Sequence, residues 1–266
     1  PYLDSDLLAS RYSPLLAHVG RRLGVTIRLA VGATYADMEQ QVVEGAVDVA
    51  SLPPYAYVRA ARGAPGIRAF ATHISDGSLS YGAYLIALAD GPVQQIQDLR
   101  GRRVGYVDPH STSGFLFPAE RLLEEGVHPI NDVRPVFLGG HDRVFDAVVA
   151  GEVDAGAVYA GGLREGRRRH SQGPRVRVLA KTRRIPCDAY VAREGFPAAA
   201  SEAFGAILGG VSTRDAAGRA MLDPVLQING FLPVSDHHYD VVREVDERVK
   251  AAVPELHVAP PEGQDL

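Results

Sequence analysis

Short apolar runs alternate with helically periodic stretches from one end of this chain to the other. Ile27 to Val31 reads as a strand, and Tyr35 to Glu44 as a helix with Met38, Val42 and Val43 on one side. Asp48 to Leu52 is a short buried strand, Pro54 to Ala61 opens a helix, and Ile67 to His73 and Tyr81 to Ala89 are strands. The middle repeats the theme: strand Arg103 to Val107, helix Gly114 to Glu125, strand Val133 to Leu138, helix Val144 to Ala150, then strands Asp154 to Tyr159 and Val176 to Ala180. The arginine-rich stretch Gly161 to Gln172 reads as a solvated helix or loop. After Ala189 to Ala192 the pattern turns helical to the end, through Ser201 to Leu208, Ala216 to Leu222 and Tyr239 to Val253, with Pro260 to Leu266 as a frayed tail. The order βαβα predicts an α/β fold with mostly parallel sheet. Two such halves with short apolar joins predict two lobes and a small-molecule cleft between them.

Composition removes several classes of function. With 266 residues, 46% of them hydrophobic, the chain can bury one large core or two ordinary ones. A net charge of −4 gives no basic face for nucleic acid. Cys187 is the only cysteine, so neither an intramolecular disulfide nor a multi-cysteine zinc site is possible. No apolar run reaches the roughly 18 residues that a membrane span needs. The residues given carry no signal peptide, and the abrupt start at Pro1-Tyr2-Leu3-Asp4 leaves room for a trimmed first strand and targeting segment.

The strongest local signal is Asp108-Pro109-His110-Ser111-Thr112-Ser113-Gly114, between a strand and a helical pattern. First-turn N–H groups lack partners and carry partial positive charge, so an anion there meets amides and hydroxyls together. One hydroxyl would serve as an N-cap; Ser111, Thr112 and Ser113 are more than a cap needs. Gly114 is expected to let a ligand approach the backbone. Gly139-Gly140-His141-Asp142 makes a second strand-to-helix turn on the same sheet edge, where His141 can donate into a cleft or simply sit exposed at a capping turn. Tyr35, Tyr55 and Tyr81 stand at element starts, each a potential O–H donor or a packing tyrosine. No P-loop, dinucleotide fingerprint, HExxH, CxxC or GxSxG motif occurs, and no carboxylate pair suggests acid–base catalysis. His237-His238 points in two directions if helical and reads as surface. Neither a cofactor nor a metal is expected.

In order, the motifs resemble the phosphonate-, phosphite- and phosphate-binding family of periplasmic solute-binding proteins. Tyr35-Ala36-Asp37-Met38 with Val43 to Ala50 is similar to that family's first-lobe segment, and Tyr81 to Ile86 to its crossing strand. Asp98-Leu99-Arg100-Gly101-Arg102-Arg103-Val104 is similar to its DLxGKxV segment, with Arg102 for the usual lysine. Ser111-Thr112-Ser113-Gly114 followed by Pro118 resembles its anion loop. Gly140-His141-Asp142 through Gly151 to Val158 keeps the family's order and spacing. The resemblance runs from Pro1 to about Pro197. It implies a type II periplasmic-binding-protein fold, with lobe 1 over residues 1–82 and 189–266 and an inserted lobe 2 over 83–188, joined by two crossing strands. It implies that Tyr35 and Tyr81 lie in the cleft, that Ser111, Thr112 and Ser113 hold an oxyanion, and that His141 donates to it. Leu52-Pro53-Pro54 becomes the opposing helix start. Ile185-Pro186-Cys187-Asp188 becomes the second crossover, where Cys187 and Asp188 depart from the family's usual residues and Asp188 faces the ligand.

The function so implied is capture of a small phosphorus oxyanion outside the membrane, in the periplasm or on the extracellular face, and delivery by a monomer to an ABC transporter permease. An arsenic oxyanion is a neighbouring choice of ligand. The alternatives are the ligand-sensing domain of a signalling protein, and an enzyme on the same fold, for which no nucleophile–base pair speaks.

Overall fold

The computed structural model describes residues 5–254 apart from Gln172, Pro224 and Leu226; the tail expected over Pro260 to Leu266 lies outside the described residues. Among these residues nine helices alternate with eleven strands. The first part runs α1 (Ser5–Leu23), α2 (Tyr35–Val43), β1 (Val49–Leu52), α3 (Pro54–Gly63) and β2 (Arg68–Ser75). The chain then crosses through β3 (Ser80–Tyr81) into β4 (Ala83–Leu88), β5 (Arg103–Tyr106), α4 (Phe117–Glu124), β6 (Arg134–Phe137), α5 (His141–Ala150), β7 (Ala155–Tyr159), α6 (Ala160–Arg169) and β8 (Val176–Lys181). It returns through β9 (Ile185–Pro186) to β10 (Ala189–Ala192), α7 (Ala198–Gly209), α8 (Ala216–Leu222), β11 (Ile228–Pro233) and α9 (Asp240–Ala252).

Two sheets organise this order: β1-β10-β2-β11, and β6-β5-β7-β4-β8, with β3 and β9 pairing as a two-stranded ribbon between the crossings. The expectation of mostly parallel sheet is corrected. Every ladder of the first sheet is antiparallel, and in the second only β5–β6 and β5–β7 are parallel. The cause is the double crossing. The chain comes back from the second sheet running the opposite way and inserts β10 between β1 and β2, which by themselves form a βαβ unit through α3.

Three elements differ from the sequence reading. Ile27 to Val31 is not a strand: no described strand runs beside it, Arg28, Leu29 and Ala30 are exposed, and extended backbone without a partner makes no ladder. The helix α1 buries Leu15 and Val19, one turn apart, among Leu208, Val211 and Leu222 of the α7–α8 region. The strand β11 replaces part of the expected helical end. Its Asn229, Gly230 and Pro233 read as turn residues, yet it is an edge strand with one ladder, to β2 from Ile228↔Ser75 to Pro233↔Ala71, and a single bridge from Gly230 to Ser212 on its other side; at such an edge a proline is tolerated.

The core is continuous across both sheets. The helix α9 packs on α3 with one side and on α4 with another. It buries Val242, Val245 and Val249, each of which contributes about 1.5–3 kcal/mol by leaving water. Ion pairs follow the same geometry: Arg62 and Lys250 hold the fully buried Asp246, while Arg248 and Arg183 converge on the buried Glu120 of α4.

Candidate functional site: a neutral oxyanion cleft between the sheets

The carboxyl ends of the three parallel strands converge on one place. β5 leads to Ser111, β6 to Gly140-His141, and β7 to Tyr159. Such ends are where α/β sheets bind ligands, because helix N-termini point there. The opposing wall comes from the first sheet: Tyr35 at the start of α2, His73 and Ser75 of β2, and Asp188 just before β10. Between them lies a cavity of about 270 Å³.

Ser111 to Ser113 do not open an ordinary α-helix. The chain makes a wide π-type turn, in which Leu116 N–H donates to Ser111 C=O at 3.0 Å and Phe117 N–H to Thr112 C=O, before α4 takes over. Gly114 is required, but for packing: a Cβ there would overlap the Val107 side chain and the Ser111 hydroxyl, so the expected ligand-to-backbone approach at Gly114 is corrected to a close approach of the turn to Val107. Two hydroxyl oxygens are already used as acceptors. Ser111 Oγ accepts from Gly114 N–H at 3.0 Å, and Thr112 Oγ1 accepts from Tyr55 N–H at 3.0 Å. A hydroxyl that accepts through its oxygen still has its O–H to donate, so both residues are set up as donors. Ser113 Oγ lies 3.4 Å from His141 Nε2, and Ser113 lies near enough to Tyr81 to favour its ionised form against burial.

His141 occupies the first position of α5, and its N-cap Gly140 supplies no side chain, so the ring rather than a cap residue covers the helix start. It stacks edge-on against Tyr159 at 4.8 Å between centroids. Burial lowers its pKa to about 4, so at neutral pH it is a neutral imidazole that donates through one nitrogen. Its Nδ1 is buried with no hydrogen-bond partner among the described residues. His73 is in the same state, lowered to about 4 by burial and with its Nδ1 unpartnered. Asp188 moves the other way: burial pushes its carboxyl up to about 7. Tyr81 is held well above the ordinary tyrosine range, by burial first and the nearby Asp188 second. The cation of the lining is Arg184 on the crossing, which donates to Ser80 Oγ at 3.1 Å and Ser78 Oγ at 3.0 Å.

Seven of the eight residues singled out from the sequence line this cavity: Tyr35, Tyr81, Ser111, Thr112, Ser113, His141 and Asp188. Tyr55 does not join them. Its ring is buried in α3, and its hydroxyl donates at 2.9 Å to Asp246 Oδ1 on α9, away from the cleft; only its backbone N–H serves the site, through Thr112. Cys187 is likewise turned aside: it is buried, its thiol lies 3.7 Å from Ser78 C=O, and burial pushes it up to about 12. Sequence reasoning missed Tyr12, His73, Ser78, Ser80, Tyr159, Arg184 and Gln227. Tyr159 was findable as the residue ending the third parallel strand, and Ser78 and Ser80 as the hydroxyls leading into the crossing. Tyr12, His73 and Gln227 carry no local signal.

Residues 1–239 match the model of a family described as the phosphonate periplasmic substrate-binding protein of ABC transporters. The chain belongs to this family. Its members bind solutes and are not enzymes. Among curated relatives it is similar to the phosphate-import protein PhnD of Mycolicibacterium smegmatis, 34% identical over 59% of this chain and 51% of that one. It is also similar to the phosphonates-binding periplasmic protein of Escherichia coli, 29% identical over 55% of this chain and 45% of that one. These matches span about half the length of each relative. The fold is that of a binding-protein component of an ABC phosphonate transporter from Pseudomonas aeruginosa, at TM-score 0.83 and 20% identity, covering 98% of this chain and 88% of that one. It is also that of PhnD1 from Prochlorococcus marinus in complex with methylphosphonate, at TM-score 0.83 and 17% identity, covering 94% and 96%. The type II periplasmic-binding-protein fold, two α/β lobes with the cleft between, is therefore the fold of this chain.

Proposed function

We propose that this protein captures a small phosphorus oxyanion (phosphate, phosphite or a short phosphonate) between its lobes and hands it to an ABC transporter permease. The observation that carries the reading is the donor set. Ser111 and Thr112 each accept a backbone amide and so present their O–H groups, beside Ser113, a neutral buried His141 and the phenol of Tyr81. Neutral donors fixed in a low-dielectric cleft bind a compact anion strongly. The phosphate-import relative and the methylphosphonate-bound neighbour support the same ligand class.

The lobes divide in this proposal at residues 82/83 and 188/189, where the chain passes through β3 and β9. Contacts between them hold the cleft shut: Tyr55 N–H to Thr112, and Arg164 Nη1 to Asp76 Oδ2 at 3.1 Å. Ligand touching both walls favours that closed form. In this reading the binding unit is a monomer. No described helix is long and apolar enough to cross a membrane. The family's periplasmic members support action outside the cytoplasmic membrane, and their place in transporters favours transport over a sensor role.

The test is a thermal-shift and calorimetric screen. Phosphite, phosphate or methylphosphonate at about 100 times its dissociation constant should stabilise the protein by roughly 2.7 kcal/mol. Stabilisation by sugars or amino acids, with none by any oxyanion, would refute the reading.

A further inference from the structure

We propose that Gln227 sets the length of ligand that the cleft admits, its carboxamide lying over Gly161 as a neutral wall that excludes substituents longer than a methyl group. This rests on reading the cleft as a phosphorus-oxyanion site. Gly161 is the second residue of α6 and is buried. Both heteroatoms of the Gln227 carboxamide lie where a Cβ on residue 161 would stand, so the absence of a side chain there is what lets the amide in. The Tyr159 ring crowds the same spot, its Cε2 lying 2.5 Å from where that Cβ would stand, so amide and ring meet over Gly161. Tyr159 in turn stacks on His141, which places the wall one ring away from the oxyanion donors.

The backbone shows that this placement is held against local preference. Two non-glycine residues among those described have left-handed backbone, Gln227 at φ 71° and Asp76 at φ 47°, and both line the cleft. They are joined to each other: Asp76 N–H donates to Gln227 C=O at 3.4 Å. Asp76 also reaches α6, the helix that carries Gly161, through its pair with Arg164. Asp76 with Gly77 makes the two-residue turn between the bridged Ser75 and Ser78, where left-handed backbone is usual. At Gln227 the same conformation is strained, and such strain persists where surrounding contacts over-determine it, commonly at ligand clamps. The pair comes from the first lobe's β2 turn and the approach to β11; the surface it meets comes from β7 and α6. A phosphorus oxyanion with no substituent, or with a methyl, leaves the amide in place. A longer chain must lift the carboxamide off Gly161 and away from the Tyr159 ring.

The experiment is calorimetry of phosphite, methylphosphonate and n-butylphosphonate against the parent, Gln227→Ala and Gly161→Ala. Gln227→Ala removes the wall. Gly161→Ala keeps the glutamine but displaces its amide together with the Tyr159 ring, whose Cε2 would lie 2.5 Å from the new Cβ, so its methyl-to-butyl ratio is read alongside its phosphite affinity; it gives a second reading should the first variant fail to fold. The parent should favour methylphosphonate over butylphosphonate, and each variant should lower that preference by about tenfold or more, the range expected when a small pocket is opened. Affinity for phosphite should change far less than the preference does. A methyl-to-butyl ratio that stays at the parent's value in the variants overturns the inference alone. A parent that binds no phosphonate overturns the functional reading and this inference with it.

Discussion

Replacing Tyr55 by phenylalanine separates the two roles that an aromatic residue near the cleft can have. The Tyr55 hydroxyl donates to Asp246, a carboxylate with no exposed surface, and that bond sits on the far side of α3 from the ligand cavity. A hydrogen bond to a charged group contributes about 1.5–3 kcal/mol. Asp246 keeps Arg62 at 2.7 Å and Lys250 at 3.2 Å, so the loss belongs at the lower end, about 1.5 kcal/mol. For a chain of this size that corresponds to a melting point lower by about 3–6 °C. Affinity for phosphite or methylphosphonate should be unchanged, because Tyr55→Phe leaves in place the backbone N–H that donates to Thr112. Tyr81→Phe is the contrast: its hydroxyl lies in the cleft against Ser113, so binding should weaken by about 1.5–3 kcal/mol, roughly 10- to 150-fold. Differential scanning calorimetry and ligand titration on the two variants suffice. If Tyr55→Phe weakens binding as much as Tyr81→Phe while melting like the parent, the placement of Tyr55 is wrong.

Ser113→Ala should weaken oxyanion binding by about 1.5–3 kcal/mol, measured by calorimetry, whereas Ser111→Ala and Thr112→Ala should in addition each cost about 1 kcal/mol of stability through the lost bonds to Gly114 N–H and Tyr55 N–H. Stability should depend on pH through three cleft residues. His73 and His141, lowered in the fold, contribute stability that is present above about pH 6.5 and is lost as pH falls towards 4. Asp188, raised in the fold, contributes stability that is present below about pH 4 and is lost as pH rises to 7. Between about pH 4.5 and 6, His141→Gln should therefore flatten the rise of stability with pH by about 1.4 kcal/mol per unit, and Asp188→Asn should steepen it by a similar amount; urea denaturation curves parallel to the parent's in both variants would refute the assignment. Small-angle scattering should show a smaller radius of gyration on adding saturating ligand, and an unchanged radius would argue against hinged lobes.

Most elements of the middle of the chain were legible because each strand there carries its own apolar run and each helix its own period; β5, α5 and β7 lie where the pattern put them, whereas which strands share a sheet was not legible. Direction was not legible. Whether β10 runs with or against β1 depends on the chain returning through β9, a relation between residues over a hundred positions apart. Edge elements failed for a different reason. Ile27 to Val31 has strand composition but no partner, and β11 has turn composition but a partner in β2, so pairing overrode propensity in both directions. At the site, the hydroxyl run and His141 were legible because they sit at strand-to-helix turns. Tyr55 looked the same, being an aromatic at a helix start, but the face it turns inward is fixed by Asp246, 191 residues away. His73 and Gln227 enter the cleft by tertiary placement alone, and no local pattern marks them.

The donors of the cleft have a consequence for release as well as capture. Arg184, the cation of the lining, is tied to Ser78 and Ser80, while the groups at the strand ends are neutral. Hydroxyls and a neutral imidazole act only at contact distance, so their attraction exists when the lobes are closed and disappears when they part. In the function proposed above, the binding free energy lies in short, directional bonds from two lobes, and a permease that parts the lobes would remove most of it.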